Sequence, residues 1–160
     1  MVEHIDDIID PELRALYSYW ILKRGSRRMP RRADIDPVEI PALLPSIFLV
    51  DIGGSPLRFR FRLIGTAICA RWGGDETGKY LDEVDVDGEH ELMLGQYAAV
   101  VETGKPRFDI AEFTTDGGRY LHYRRLLMPL SEDDATPNML LGGQRGIGVE
   151  GFQIQRHRWL

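Results

Sequence analysis

The segment Arg58-Phe59-Arg60-Phe61-Arg62-Leu63-Ile64-Gly65-Thr66 constrains the fold more than any other part of the chain. Arginine and apolar residues alternate strictly from Arg58 to Leu63, the period of a strand with one wet face and one buried face. The pattern predicts Phe59, Phe61 and Leu63 inside, with Arg60 and Arg62 outside. Gly65 ends the strand, and Thr66 is expected to cap a short helix reading Ala67-Ile68-Cys69-Ala70-Arg71-Trp72 before Gly73-Gly74. A strand that turns at once into a short helix is a feature of a scaffold and carries no catalytic group.

The flanking segments complete an α+β pattern. Asp10-Pro11 supplies a helix cap and a first-turn proline, and Leu13, Leu16, Tyr17, Trp20 and Ile21 follow at helical spacing until Gly25. Asp36-Pro37 repeats the start signal for a short helix through Ile40 to Leu44, which Pro45 is expected to stop. Ile47 to Ile52 is an apolar run too short for a typical helix and reads as a buried strand. A longer helix is predicted from near Asp87 to Glu102, ended by Gly104 and Pro106. Strands at Arg107–Thr114, Arg119–Pro129 and Asn138–Gln144 follow, the first two joined by the hairpin signal Thr115-Asp116-Gly117-Gly118. Five strands suit one antiparallel sheet with helices on one face. Residues 1–45 read as a helical extension, 46–146 as the domain and 147–160 as a tail containing Phe152, Ile154 and Trp159.

Composition narrows the function classes. A net charge of −5 argues against nucleic acid as a general partner. Residues 1–32 are nevertheless net positive, with six cations between Lys23 and Arg32. That run suits either an acidic partner or a solvated helix end. No apolar run approaches the ~20 residues that span a bilayer. The acidic N-terminus lacks a signal-peptide profile, so a cytoplasmic protein is expected. One cysteine, Cys69, rules out an internal disulfide, and its apolar neighbours favour an inert, packed thiol. None of the four histidines has a partner at metal-ligand spacing.

The order of elements resembles a PAS domain from about Ile47 to Gln144. The landmarks are Phe61-Arg62-Leu63-Ile64-Gly65-Thr66, Gly78-Lys79-Tyr80-Leu81, Gly104-Lys105-Pro106 and Leu126-Leu127-Met128-Pro129-Leu130. Tyr19-Trp20, Met29-Pro30 and the Asp36-Pro37 to Leu44-Pro45 stretch are similar to a bacterial group of small stand-alone PAS proteins. The resemblance implies a non-catalytic sensory module for signal transduction, with a pocket between sheet and helices. It also implies a homodimer, and a separate signalling protein as output. It names no ligand or cofactor. The flavin-type motif Gly-x-Asn-Cys-Arg-Phe-Leu-Gln is absent, and nothing around His90 supports haem.

On this reading the pocket candidates are Phe59, Phe61, Leu63, Trp72, Tyr97, Phe113, His122 and Arg124. The alternative for the apolar residues is a solid core. For His122 it is a cross-strand polar partner on the solvent face. Of Arg124 and Arg125, alternation sends one inward, where it must be paired or bind an anion. Leu13, Leu16, Tyr17, Trp20 and Ile21 form a stripe that packs on its own domain or forms a dimer. Gly142-Gly143-Gln144-Arg145-Gly146-Ile147-Gly148 superficially suggests a phosphate loop, but no helix follows it, so a flexible strand exit is expected. Two other functions fit the same order: a small cone-like α+β isomerase or dehydratase using Asp109, His122 and Tyr123, and a purely structural dimerisation module.

Overall fold

In the computed structural model, which describes residues 4–147 apart from 85, 87 and 116, the alternating segment is a strand whose alternation breaks once. Strand β1 (Ile47–Gly53) pairs antiparallel with β2 (Arg58–Ile64). Val50 faces Phe61 and Leu49 faces Leu63, so Arg62 is the extra residue of a bulge. The extra residue rotates everything after it to the other face. Phe59 and Phe61 are buried as expected, whereas Leu63 is 43% exposed and lies opposite Leu49 on the far side of the sheet. Ile64 takes the inward place instead.

Helix α1 (Pro11–Arg24) starts where its cap residue places it. The Asp10 carboxylate accepts from the Glu12 and Leu13 amides at 2.9 and 3.1 Å. Gly25 closes the helix. Helix α2 (Thr66–Trp72) has Gly65, not Thr66, as its cap residue, and no side chain caps it. Glycine is needed at 65 for space, because a Cβ there would overlap the Leu44 and Pro45 carbonyls. Helix α3 (His90–Thr103) ends on the left-handed Gly104. Residues 32–46 form tight 3-10 turns in place of one α-helix, and Pro45 sits inside the last of them, Pro41–Ser46.

Strands β3 (Arg107–Thr114), β4 (Tyr120–Leu130) and β5 (Met139–Gly146) complete an antiparallel sheet in the order β2-β1-β5-β4-β3. Helices α2 and α3 cover one face over Phe48, Phe59, Phe61, Leu121 and Tyr123, with Tyr97 of α3 packed among them. The N-terminal extension covers the other, over Leu49, Leu126, Met128 and Leu141. Leu13, Leu16 and Trp20 are almost fully buried there, with Tyr17 and Ile21 packed beside them. The Trp20 indole N–H donates to the Pro129 carbonyl at 3.0 Å. Of the two roles left open for this stripe, packing on its own domain and dimerisation, the first takes up most of it.

The glycine-rich stretch is not a loose exit from the sheet, since β5 runs through Gly146. A Cβ at Gly142 would lie inside the Phe48 ring, and one at Gly143 would be 2.8 Å from both Leu13 and Leu16. These glycines let a ring approach one face and a helix the other. Part of the basic run also has its acidic partner within the chain. Asp134 accepts the Arg28 and Met29 amides, Arg27 donates to the Ser131 carbonyl, and Lys23 pairs with Glu39 at 2.8 Å. The apolar tail expected after residue 147 lies outside the described residues.

Candidate functional site

The hairpin register places three polar side chains in one row on the face beneath α2 and α3. Asp109 of β3 lies opposite Arg125 of β4, which lies opposite Gln144 of β5. Arg125 is fully buried. Its Nε donates to Asp109 Oδ1 at 3.0 Å, and its Nη2 donates to Asp109 Oδ2 at 2.8 Å and to Gln96 Oε1 at 2.6 Å. This is the bidentate fork that best offsets the loss of water around two charges. Arg107 adds a second guanidinium, 2.7 Å from Asp109 Oδ2. Burial by itself would raise the Asp109 carboxyl, but the bonds and charges of Arg125 and Arg107 outweigh it and hold the group below its ordinary value.

Aromatic rings enclose the row. The Arg125 guanidinium sits 5.6 Å from the centre of the Tyr97 ring. Trp72 packs against Phe113 at 5.2 Å and Tyr123 at 6.4 Å between centroids. Its indole N–H donates to Gln144 Oε1 over 3.3 Å, a long bond. Two buried polar atoms of this region have no hydrogen-bond partner, Arg125 Nη1 and the Tyr123 hydroxyl. Burial, opposed first by the charge of Arg125, pushes the Tyr123 hydroxyl up to about 12, so it keeps its proton.

Open space on this face is small. A cavity of about 10 Å³ lies beside Trp72, Cys69 and Gln144. That is the lower limit for a single water molecule. A larger groove of about 400 Å³ lies on the opposite face, between the 3-10 turns and the end of β2, and includes Leu63.

Of the residues expected around a pocket, Phe59, Phe61, Trp72, Tyr97 and Phe113 come together on the helix-covered face. Leu63 does not, because of the bulge. Arg124 does not either, because its neighbour Arg125 has the inward position. His122 points to the same side as Arg124, and its ring nitrogen is 4.0 Å from Glu112 Oε2 across the strand pair. Asp109 and Tyr123 thus face the interior while His122 faces away, so the acid–base set of an isomerase or dehydratase is not assembled. The Cys69 thiol is held up by burial and by Asp75 close by, which disfavours the reactive thiolate. His90 is engaged through its Nε2 with the Val84 carbonyl at 2.6 Å. Among the described residues no cluster of histidine, cysteine or carboxylate side chains could hold a metal ion.

Sequence reasoning left open which of Arg124 and Arg125 turns inward, and it missed Gln96 and Gln144. Counting back from the Thr115–Gly118 turn sets Asp109 opposite Arg124; the observed hairpin pairs Thr115 with Arg119, which shifts the register by one residue and brings Asp109 opposite Arg125. Gln96 and Gln144 offered no signal, since a helix–sheet contact and the β4–β5 register bring them there.

Comparison with known proteins agrees with this architecture. No curated protein sequence matches the chain. Among solved structures, a LOV protein of Rhodobacter sphaeroides superposes with a TM-score of 0.54 at 15% identity, covering 74% of this chain and 72% of that one. The PAS domain of a Colwellia psychrerythraea protein gives 0.52 at 14% identity, over 70% and 98% of the two chains. The LOV domain of a blue-light activated histidine kinase from Erythrobacter litoralis gives 0.51 at 16%, over 65% and 96%. At these identities the likeness is one of fold. A family model described as a PAS domain, however, matches residues 9–144, which takes in the sheet, its helices and α1. By that match, and by the sheet order and helix placement that accompany it, the chain belongs to the PAS domain family.

Proposed function

We propose that this PAS domain is a non-catalytic sensory and regulatory module, which binds a small molecule between the sheet and helices α2 and α3. The observation that carries the reading is the buried Asp109–Arg125–Gln96 set with two polar atoms left unpartnered. Apolar side chains of similar volume often stabilise a core as well as a buried ion pair does, so stability alone does not call for this set. The chain's membership in a family of sensory domains supports the same reading.

Signalling requires an effector that binds two states unequally. The contacts offer a continuous route for such a change. Trp72 bonds Gln144, the neighbour of Gly143 on β5, and Leu13 and Leu16 of α1 rest on Gly143. Ligand-driven movement of Trp72 would be felt at α1 through the strand. The extension of residues 1–45 then acts as the output segment of the 46–146 sensor domain. A second copy of the chain or a separate signalling protein docks on its outer side, where Leu22 is 73% exposed. Among the described residues no helix is long and apolar enough to cross a membrane, and the reading places the protein in the cytoplasm.

Native mass spectrometry and absorbance of the purified full chain test this proposal, together with a thermal-shift screen of neutral and anionic small molecules. A dimer that carries or accepts a small molecule is expected. A monomer that copurifies with nothing, and whose melting temperature no compound raises, would sink it.

A further inference from the structure

We infer that the ligand of this interior site is a small carboxylate with an aromatic or apolar body, its oxygens held by Arg125 Nη1 and the Tyr123 hydroxyl after Trp72 moves aside. The inference rests on the proposed binding function and names its chemical class.

Charge balance is the first argument. The row contains two guanidiniums, Arg107 and Arg125, and the single carboxylate of Asp109 bridges both. One positive charge is left over; Arg107 holds it partly in solvent, with its side chain 33% exposed, while Arg125 has no exposed surface. One further negative charge beside Arg125 makes the row neutral. A phosphate dianion would overshoot.

Donor geometry is the second. Arg125 uses Nε and Nη2 on Asp109 and Gln96, which leaves Nη1 buried with its donors unused. The Tyr123 hydroxyl is likewise buried and protonated; it lies close enough to Arg125 to feel its charge but makes no hydrogen bond of good geometry. Two donors of this kind on one side of a sheet match the two oxygens of a carboxylate. Buried polar groups in native proteins nearly always have partners, so an unsatisfied pair calls for an occupant.

The third argument is what occupies the space. The wall over Tyr123 is the Trp72 ring, flanked by Phe113. Trp72 is only partly buried, its indole N–H is held by the long 3.3 Å bond to Gln144, and Gly73 and Gly74 follow it. Its displacement would vacate a volume of about one indole ring, lined by aromatic faces. The ligand body is therefore flat and apolar.

Isothermal titration of the full chain with phenylacetate, the neutral isostere phenylacetamide and inorganic phosphate tests the inference. Phenylacetate is expected to bind and phenylacetamide to bind at least tenfold more weakly. Tyr123→Phe removes only an unpartnered hydroxyl, so the fold is retained, and it should weaken phenylacetate at least tenfold. Trp72→Ala should tighten it by a similar factor. Equal affinity for phenylacetate and phenylacetamide, or an unchanged affinity in Tyr123→Phe, would mean that the two donors serve a bound water only, and would overturn the inference while leaving a small-molecule site standing. Phosphate binding in place of phenylacetate would overturn the carboxylate assignment. Absence of heat with all three probes, in Trp72→Ala as well as the native chain, would overturn both the inference and the binding function beneath it.

Discussion

Arg124 and Arg125 are neighbours in sequence with opposite surroundings. Arg125 lies opposite Asp109 and is fully buried, while Arg124 turns to the other face, opposite Ile110 and Arg145. The Asp109 pair makes burial of a guanidinium tolerable, and its loss should be severe. Asp109→Asn keeps the shape but strands Arg125 without a counter-charge, which costs on the order of 3–5 kcal/mol. Urea unfolding at neutral pH would measure that loss. The acid limb gives a second reading of the same pair. Asp109 titrates in the folded chain below its ordinary value of 3.8. Its contribution to stability is therefore complete above that ordinary value and is lost as the pH falls through the lower native one. Asp133, pulled down to about 2 by the Thr136 and Ala135 amides, titrates in a similar range and is unchanged by the substitution. The unfolding free energy of the native chain should fall more steeply below about pH 4 than that of Asp109→Asn, and parallel acid limbs would contradict the assignment.

Elements carry information that single residues do not. Strand β2 alternates perfectly in sequence, yet Leu63 ends on the wrong face because Arg62 has no partner opposite it on β1. Nothing inside the strand reports a bulge, since the extra residue exists only relative to the neighbouring strand. Strand β5 shows the converse. Gly142 and Gly143 lower strand propensity and open a glycine-rich stretch that suggests a flexible exit, although they lie within the expected strand 138–144; the sheet needs them because Phe48 and α1 press on the backbone from its two sides. Gly142→Ala places a methyl inside the Phe48 ring and should cost about 1–3 kcal/mol through forced repacking. A lower denaturation midpoint at unchanged slope would confirm that, and an unaltered midpoint would count against the close packing. By contrast, α1 was legible almost residue for residue, because Asp10, Pro11 and Gly25 are local signals that act within one turn.

At the scale of the molecule, the sheet is a partition between two cores. Helices α2 and α3 close one, and the N-terminal extension closes the other. Central strands have both faces covered, whereas β2 and β3 are sheet edges. Native-state hydrogen exchange should therefore find the slowest amides in β5 and the adjoining parts of β1 and β4, with α2 among the faster segments. Protection in α2 equal to that of β5 would argue against the mobility that the binding proposal assigns to Trp72. The two cores also explain why the extension belongs with the sheet structurally: without it, Leu126, Met128 and Leu141 would face water.

The sequence by itself determined the number, order and type of the main elements, the caps of α1, the β3–β4 hairpin and the PAS resemblance. All of these depend on residues within a few positions of each other or on the order in which such local signals recur. Tertiary structure alone decided which way Leu63 turns, whether Arg124 or Arg125 is buried, what covers the α1 stripe, and why Gly142 and Gly143 lie inside a strand. Each of these is settled by a partner tens of residues away, whose position depends on strand register and helix packing, and a one-residue change in register reverses the face that every following side chain sees.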